Sequence, residues 1–560
     1  MPFPALVAFT MAIAAIAWAF ARVTNLYAVA AVVGGGVVLW LHGIVYFDYT
    51  SDDAYISYRY AQNFADGMGL VWNRGEWVEG YTNFLWVVSL AGLAKAGADI
   101  ADSARWLGFA LSLGAIGGAY ALSRELLEGD AGRIAGIGAA LILAASGPFA
   151  AWSGAGLENG MFALLIIVAV LLHIRELEHG WPPASGAVWA LAAMTRPEGV
   201  LLFGVSVLFK ILEASTRVYA LRRRSYVRGA VLREAGRFAL WLAGFAVLYL
   251  PYFAWRYAAY DWFFPNTYYA KVGSGVDQYE RGIQYLQAFA QQYAAWLVLL
   301  LPLAGTLTSI RRMAALYSFV LLLAWFAYVV YVGGDSLVRL RFFSSISPLF
   351  YGAVAAAAAA LIVEAHFERR PPRWFAEVAV AVAFAGLLAF TLHPSSRDTA
   401  LTGERDAMRD RIEIGRWLRD NVPDETLIAV VAAGAIPYES GLETIDMLGL
   451  NDEHIAHRDI EVGLLPAGHE KYDSEYVLDR RPDIIILADS LTDYPFDEGA
   501  YSALGGTLIA ARADLLSRPR LWAEYEARSV EIEEGRWFNM LVRRQPVAVQ
   551  ASVASPPRSP

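Results

Sequence analysis

Apolar runs fall near residues 4–21, 28–47, 104–123, 134–151, 159–174, 186–208, 238–257, 292–309, 313–332, 345–363 and 374–392. Each approaches the length that crosses hydrocarbon as a helix, about 20 residues. A weaker run lies at 81–97, and after residue 393 the runs stop. The pattern predicts a polytopic α-helical membrane protein of about 11–13 transmembrane segments over residues 1–393. Beyond that point the period changes. "RDAMRDRIEIGRWLRDNV" (405–422) has the spacing of an amphipathic helix, and "TLIAVVAAG" (426–434) and "PDIIILAD" (482–489) read as buried strands. "EARSVEIEEGRWFNMLVRR" (526–544) reads as a terminal hairpin. A soluble α/β domain is therefore expected over 394–545, ahead of a disordered tail at 546–560.

Composition agrees, with 57% hydrophobic and 18% charged residues. Charge is unevenly shared: the stretch after 393 is strongly acidic and the membrane part mildly basic. An acidic soluble domain argues against nucleic acid as a partner. The chain has no cysteine, which removes disulfides and thiolate chemistry. No His/Cys grouping has the spacing of a structural zinc site. The run at 4–21 lacks a basic leader segment and is followed at once by another apolar run, so it is read as a retained helix.

Orientation follows from the bases. Residues 210–237 carry eight Lys/Arg and two Glu and should face the cytoplasm, as should Arg311 and Arg312 and "HFERRPPR" (366–373). Alternation then puts 258–291, 333–344 and everything after 393 outside. The run 186–208 holds Arg196, Pro197 and Glu198 at its middle, where charge is costly and proline breaks a helix. Two short helices meeting at an outer "TRPEG" turn relieve both difficulties, and 81–97 then becomes a re-entrant or interfacial piece.

This topology gathers six polar clusters at the outer level. They are Asp52/Asp53 in the first outer loop (48–80), "GEWVEGYTN" (75–83), "GLEN" (156–159), "TRPEG" (195–199), "PNTYYAKVG" (265–273) and "GGDSLVRLRF" (333–342). Each has a plain structural role open to it. Asp52 could cap its own helix, with Gly67 ending it. Asp52, Tyr55 and Arg59 share one helical face. Glu158 and Asn159 could open a helix, Arg196 and Glu198 could brace a kink, and Asp335 could serve a turn. Trp72, Trp77 and Trp86 read as interfacial belt residues.

The stretch "DDAYISYRYAQNFADGMGLVWNRGEWVEGYTNFLW" resembles the first outer loop of the GT-C superfamily, membrane glycosyltransferases that use polyprenyl-phosphate sugars. Within it the chain is most similar to terminal arabinofuranosyltransferases of the AftB type. The resemblance continues through "SGAGLENGM", "TRPEG", "FFPNTYYAKVG", "QYLQAF" and "GGDSLVRLRFFSSISPLF" to "ETIDMLGLNDEHIAHR", and so covers most of the chain. It implies that Asp52 or Asp53 acts at the acceptor hydroxyl or coordinates a divalent cation. A carboxylate whose pKa is pushed up by its neighbour would suit a base. Arg59, Arg196, Lys271 and Arg341 are implied for the lipid phosphate. Glu79, Glu158 and Asp335, with Asn83, Glu198 and Tyr269 in the same clusters, are implied for sugar binding.

The resemblance thus implies a cell-membrane glycosyltransferase in a lipid bilayer. It would move a sugar such as arabinofuranose from a polyprenyl-phosphate donor to a cell-envelope glycan, with the soluble domain on the periplasmic or exoplasmic side. The competing class is non-enzymatic, either a transporter or an envelope or flagellar-motor assembly factor. A transporter predicts inverted repeats with polar broken helices near the midplane, and no internal repeat is visible. An assembly factor predicts indifference to loss of Asp52 and Asp53.

Overall fold

The structure is a computed structural model that describes residues 3–44, 46–221, 227–273, 275–364, 399–504 and 509–544. The expected span 374–392, the basic stretch 366–373 and the tail 546–560 lie outside the described residues. Among the described helices six are long and apolar enough to cross a membrane, or seven if one bent pair counts as a span. These are Ile100–Leu126, Asn159–His179, Glu198–Tyr219, Val231–Tyr260, Arg312–Tyr331 and Arg341–Val363. Other apolar runs form shorter helices, among them Tyr27–Gly43, Gly129–Ala145 and Phe84–Lys95.

Local chemistry explains most interruptions. The run 134–151 breaks at Ser146, just ahead of Pro148. The run 186–208 ends its first helix at Thr195, leaves Arg196 extended and restarts at Glu198, as proline and charge require. Only the first of these helices is short, however: Ser185–Thr195 has 11 residues and Glu198–Leu221 has 24. The run 292–309 does not appear as a straight span. The amphipathic Val276–Tyr293 helix turns by 84° into Ala295–Leu307, through Ala294 at φ 55°. Most of the basic 210–237 stretch is helical, prolonging the helices on either side.

Small residues let the helices approach closely. A Cβ on Gly160 would lie 2.4 Å from the Gly108 carbonyl oxygen, so the Ile100–Leu126 and Asn159–His179 helices meet almost backbone to backbone. The Gly129–Ala145 helix is buried among Tyr27–Gly43, Ile100–Leu126 and Arg341–Glu364. Trp72 and Trp86 are fully buried, which corrects the interfacial expectation for them. The Trp86 indole donates to the Gly156 carbonyl, and Arg59 lies over the Trp72 ring. Trp77 is 46% exposed.

The C-terminal region forms a five-stranded sheet ordered β2-β1-β3-β5-β4. Its strands are β1 Ile428–Val430, β2 Thr444–Asp446, β3 Ile484–Ile486, β4 Tyr525–Glu533 and β5 Arg536–Arg543. β1 pairs in parallel with β2 and β3, and the β4–β5 hairpin joins β3 antiparallel. The Thr399–Asn421 helix leads into the sheet.

The sheet domain docks on the Asp52–Ala65 helix through the face that Asp52, Tyr55 and Arg59 share. The Asp52 carboxylate accepts from the amides of Gly434 and Ala435, both at 3.0 Å, at the start of the Ala435–Ser440 helix. Tyr55 packs edge-on against Tyr438. Arg59 donates to the carbonyls of Pro437 and Leu442, and also to Trp72 and Asn73. Asp52 thus serves a helix of the other domain and makes no side-chain cap on its own.

Two outcomes are expected. Asp52→Ala should lower the unfolding free energy by about 1.5–3 kcal/mol, the worth of hydrogen bonds to a charged group, and loosen the C-terminal domain to protease. Gly434→Ala should do at least as much, because its Cβ would fall 2.0 Å from the Asp52 carbonyl oxygen. Single cysteines in this cysteine-free chain can test sidedness. An impermeant thiol reagent on intact cells should label Leu464→Cys, and should reach Trp181→Cys only after permeabilisation. Both positions are exposed.

Candidate active site

The helix breaks that interrupt the apolar pattern also place the polar side chains. Glu158 precedes the Asn159–His179 helix, and Arg196 sits in the gap before Glu198. Lys271 ends the short Asn266–Lys271 helix. Asp335 follows Gly333 and Gly334 at φ 79° and 72°, a turn that only glycine enters without strain. Arg341 opens the Arg341–Glu364 helix.

These segments converge on one cavity of about 360 Å³. Asp53, Asn83, Glu158, Arg196, Glu198, Lys271, Asp335 and Arg341 line it, together with Leu450 and Ala467 from the C-terminal domain. Arg196 is held between two acids: its Nη1 lies 2.5 Å from Glu158 and its Nη2 2.6 Å from Glu198. Asn83 donates to the other Glu158 oxygen at 2.6 Å, and the Tyr328 hydroxyl donates to Glu198 at 2.9 Å. Arg341 makes a forked contact to Asp335, at 2.6 and 3.3 Å.

Asp53 differs from these paired groups. Its carboxylate lies 3.7 Å from Lys271 Nζ and 3.9 Å from Arg341 Nη1, near enough for attraction and too far for a normal hydrogen bond. Burial opposes its charge, yet Lys271, Arg341 and His469 outweigh burial and hold its carboxyl below the ordinary value. In Asp52 burial prevails, against Arg411 and the Ala435 amide, and its carboxyl is raised. Of the two carboxyls expected as a raised base, Asp52 is raised, chiefly by burial with Asp53 adding to it, and Asp53 is not. The raised member of the doublet is the one turned toward the sheet domain.

Four other expectations shift with the geometry. Asp52 does not line the cavity. Arg59 spends its donors on docking the C-terminal domain. Glu79 is consumed by a buried pair with Arg256 at 2.6 Å. Tyr269 packs against His457 and edge-on to Trp262 outside the cavity, while its neighbour Tyr268 lines it. Tyr268, Tyr328, Tyr331 and Ser57 are lining residues not singled out from the sequence. Tyr328 and Tyr331 stand three apart at the C-terminal end of the apolar Arg312–Tyr331 helix, and that spacing was the available signal. Among the described residues no three Asp, Glu or His side chains converge as a metal-binding group. The acids here are spaced out by guanidinium groups.

A family described as "Domain of unknown function (DUF8728)" matches residues 399–544. The terminal beta-(1->2)-arabinofuranosyltransferase of Mycobacterium tuberculosis is 26% identical over 278 residues. That match covers 47% of this chain and 41% of the relative, so the chain spans less than half the length of the curated protein it matches. Among solved structures, the archaeal oligosaccharyltransferase AglB of Archaeoglobus fulgidus, in complex with an inhibitory peptide and a dolichol-phosphate, superposes with a TM-score of 0.50 at 12% identity. It covers 93% of this chain and 74% of its own. ArnT of Cupriavidus metallidurans bound to undecaprenyl phosphate gives 0.48 at 17% identity, covering 74% and 85%. A terminal arabinofuranosyltransferase is thus among the relatives of this chain, and its architecture, helical membrane part and small sheet domain together, is the GT-C fold.

Proposed function

We propose that this protein is a glycosyltransferase that moves a sugar, an arabinofuranosyl residue, from a polyprenyl-phosphate donor to a glycan on the outer side of the membrane. The observation that carries the reading is Asp53, a carboxylate held ionised beside two cations in a cavity that exposed apolar residues also line. Leu201, Phe264 and Tyr331 line the cavity and are also exposed, at 39%, 41% and 46%. They offer a polyprenyl chain an apolar exit while its phosphate stays among charges. The relative's name supplies the sugar, and the AglB complex shows that this fold can hold a lipid phosphate.

Lys271 and Arg341 bind the phosphate through charge-assisted contacts, better supplied by the cations nearest a loosely held carboxylate than by Arg196, which two acids already satisfy. Phosphate arriving there draws both cations away from Asp53, whose carboxyl regains basicity. Asp53 then takes the proton of the acceptor hydroxyl. The acceptor oxygen forms its bond to the anomeric carbon as the bond from that carbon to the phosphate oxygen breaks. The electron pair leaves on polyprenyl phosphate, whose charge Lys271 and Arg341 stabilise. Glu158, Asn83 and Glu198 stand where sugar hydroxyls would be held.

Transfer assays with a polyprenyl-phosphate sugar donor test this. Asp53→Asn should leave the fold intact and reduce turnover by about 10²-fold or more, the scale of a lost general base. Lys271→Ala should raise the donor KM by about ten- to hundredfold, with the acceptor KM nearly unchanged. Wild-type turnover in Asp53→Asn, together with unchanged donor dependence in Lys271→Ala, would return both residues to structural roles.

A further inference from the structure

A second concavity, about 660 Å³, lies between the first outer loop and the C-terminal domain. Its walls include Glu76, Trp77, Trp262, His454, His457 and Tyr476. It abuts the cavity described above across thin shared walls. Gly80 lines the cavity and Val78 the groove; Leu450 lines the cavity and Asn451 the groove. Tyr268 faces the cavity, while Tyr269 backs onto His457 of the groove, ring centres 4.3 Å apart. The Asn266 amide fixes this partition by donating to the carbonyls of Gly449, Leu450 and Asp452.

Flat rings and hydroxyl-binding groups alternate along the groove. Trp77 is 46% exposed, a costly placement for an indole with nothing to cover. Trp262 packs on His457 with ring centres 3.8 Å apart, and His454 stacks on Tyr476 at 4.1 Å. The His457 Nε2 atom is buried without a hydrogen-bond partner among the described residues. Glu76 meets Arg480 at 3.4 Å, and Tyr476 donates to Asp452 at 3.0 Å. Rings that accept the C–H face of a sugar, edged by carboxylates and guanidinium groups that bond hydroxyls, suit a neutral carbohydrate. Glu76, Asp452 and Glu453 share the groove with Arg458 and Arg480, a balance that suits a neutral chain better than a strongly charged one.

We infer that this groove is a binding track for the acceptor glycan, holding sugar residues beyond the one that enters the cavity. The identity of the occupant rests on the transferase reading above; the groove itself does not. Trp77 stacks on the chain, His457 holds the Trp262 and Tyr269 rings beside it, and the acceptor's reactive end crosses over the closed contact of Gly80 with Leu450 and Asn451 toward Asp53.

The test is direct binding of a soluble arabinan oligosaccharide to the full-length protein in nanodiscs, followed by saturation-transfer NMR and calorimetry. Trp77→Ala, at an exposed position, should weaken binding by about tenfold or more, as for loss of an aromatic anchor. His457→Ala should weaken it as well. Polyprenyl-phosphate binding should be the same in Trp77→Ala and wild type. If transfer is never detected but oligosaccharide binding still depends on Trp77, the transferase reading falls and the groove stands. Absence of oligosaccharide binding overturns the inference. So does binding indifferent to Trp77 and His457, or a groove that takes a peptide and excludes the sugar.

Discussion

A charge can stay at the edge of hydrocarbon only if its partner is there with it, and this constraint organises the structure. Arg196 lies between Glu158 and Glu198, Arg341 forks onto Asp335, and Arg256 pairs with buried Glu79. The Glu158–Arg196 and Glu79–Arg256 partners are far apart in sequence, so each pair also ties two segments together. Removing one partner would strand a buried charge, a loss worth about 3–5 kcal/mol. The pairs therefore act as registration points for helices whose apolar faces could slide, and they leave a polar cavity where the helix ends meet.

Against that background the Asp52/Asp53 doublet is two devices side by side. Successive residues on a helix point roughly 100° apart, so one carboxylate reaches the C-terminal domain and the other the cavity. Asp52 receives two backbone amides at 3.0 Å and fixes the sheet domain on the Asp52–Ala65 helix. Asp53 receives no hydrogen bond that short, only cations at 3.7 and 3.9 Å. A group so held has interactions still to make, which is what separates a reactive carboxylate from a structural one.

The general plan was legible because its causes are local. Apolar length, the charges and proline of "TRPEG", and the glycines of "GGD" each act within a few residues of where they stand. Eight of the candidate residues meet in the cavity for the same reason: a charge in an otherwise apolar run has few places to go. What was not legible depends on contacts between distant segments. Arg59 looks like a phosphate ligand until Pro437 and Leu442 appear opposite it, and Trp72 looks interfacial until Arg59 covers it. Tyr268 and Tyr269 cannot be told apart by type, and only helical phase decides which one sees the cavity.

The same logic explains why the C-terminal domain belongs to the site. Leu450 and Ala467 line the cavity beside Asp53. The motif "ETIDMLGLNDEHIAHR" carries β2 and then this wall. Asp446 accepts from the amides of Leu448 and Asn451 and fixes the turn that presents Leu450. A membrane domain alone would leave Asp53 open to bulk water, where its interactions with Lys271 and Arg341 would be screened. With the domain seated, those cations and that carboxylate act in a medium of lower polarity, where small changes of position move charge and proton affinity substantially. Docking through Asp52 and chemistry at Asp53 are then linked by adjacency in the chain: the contact that seats the domain also sets the field at the next residue.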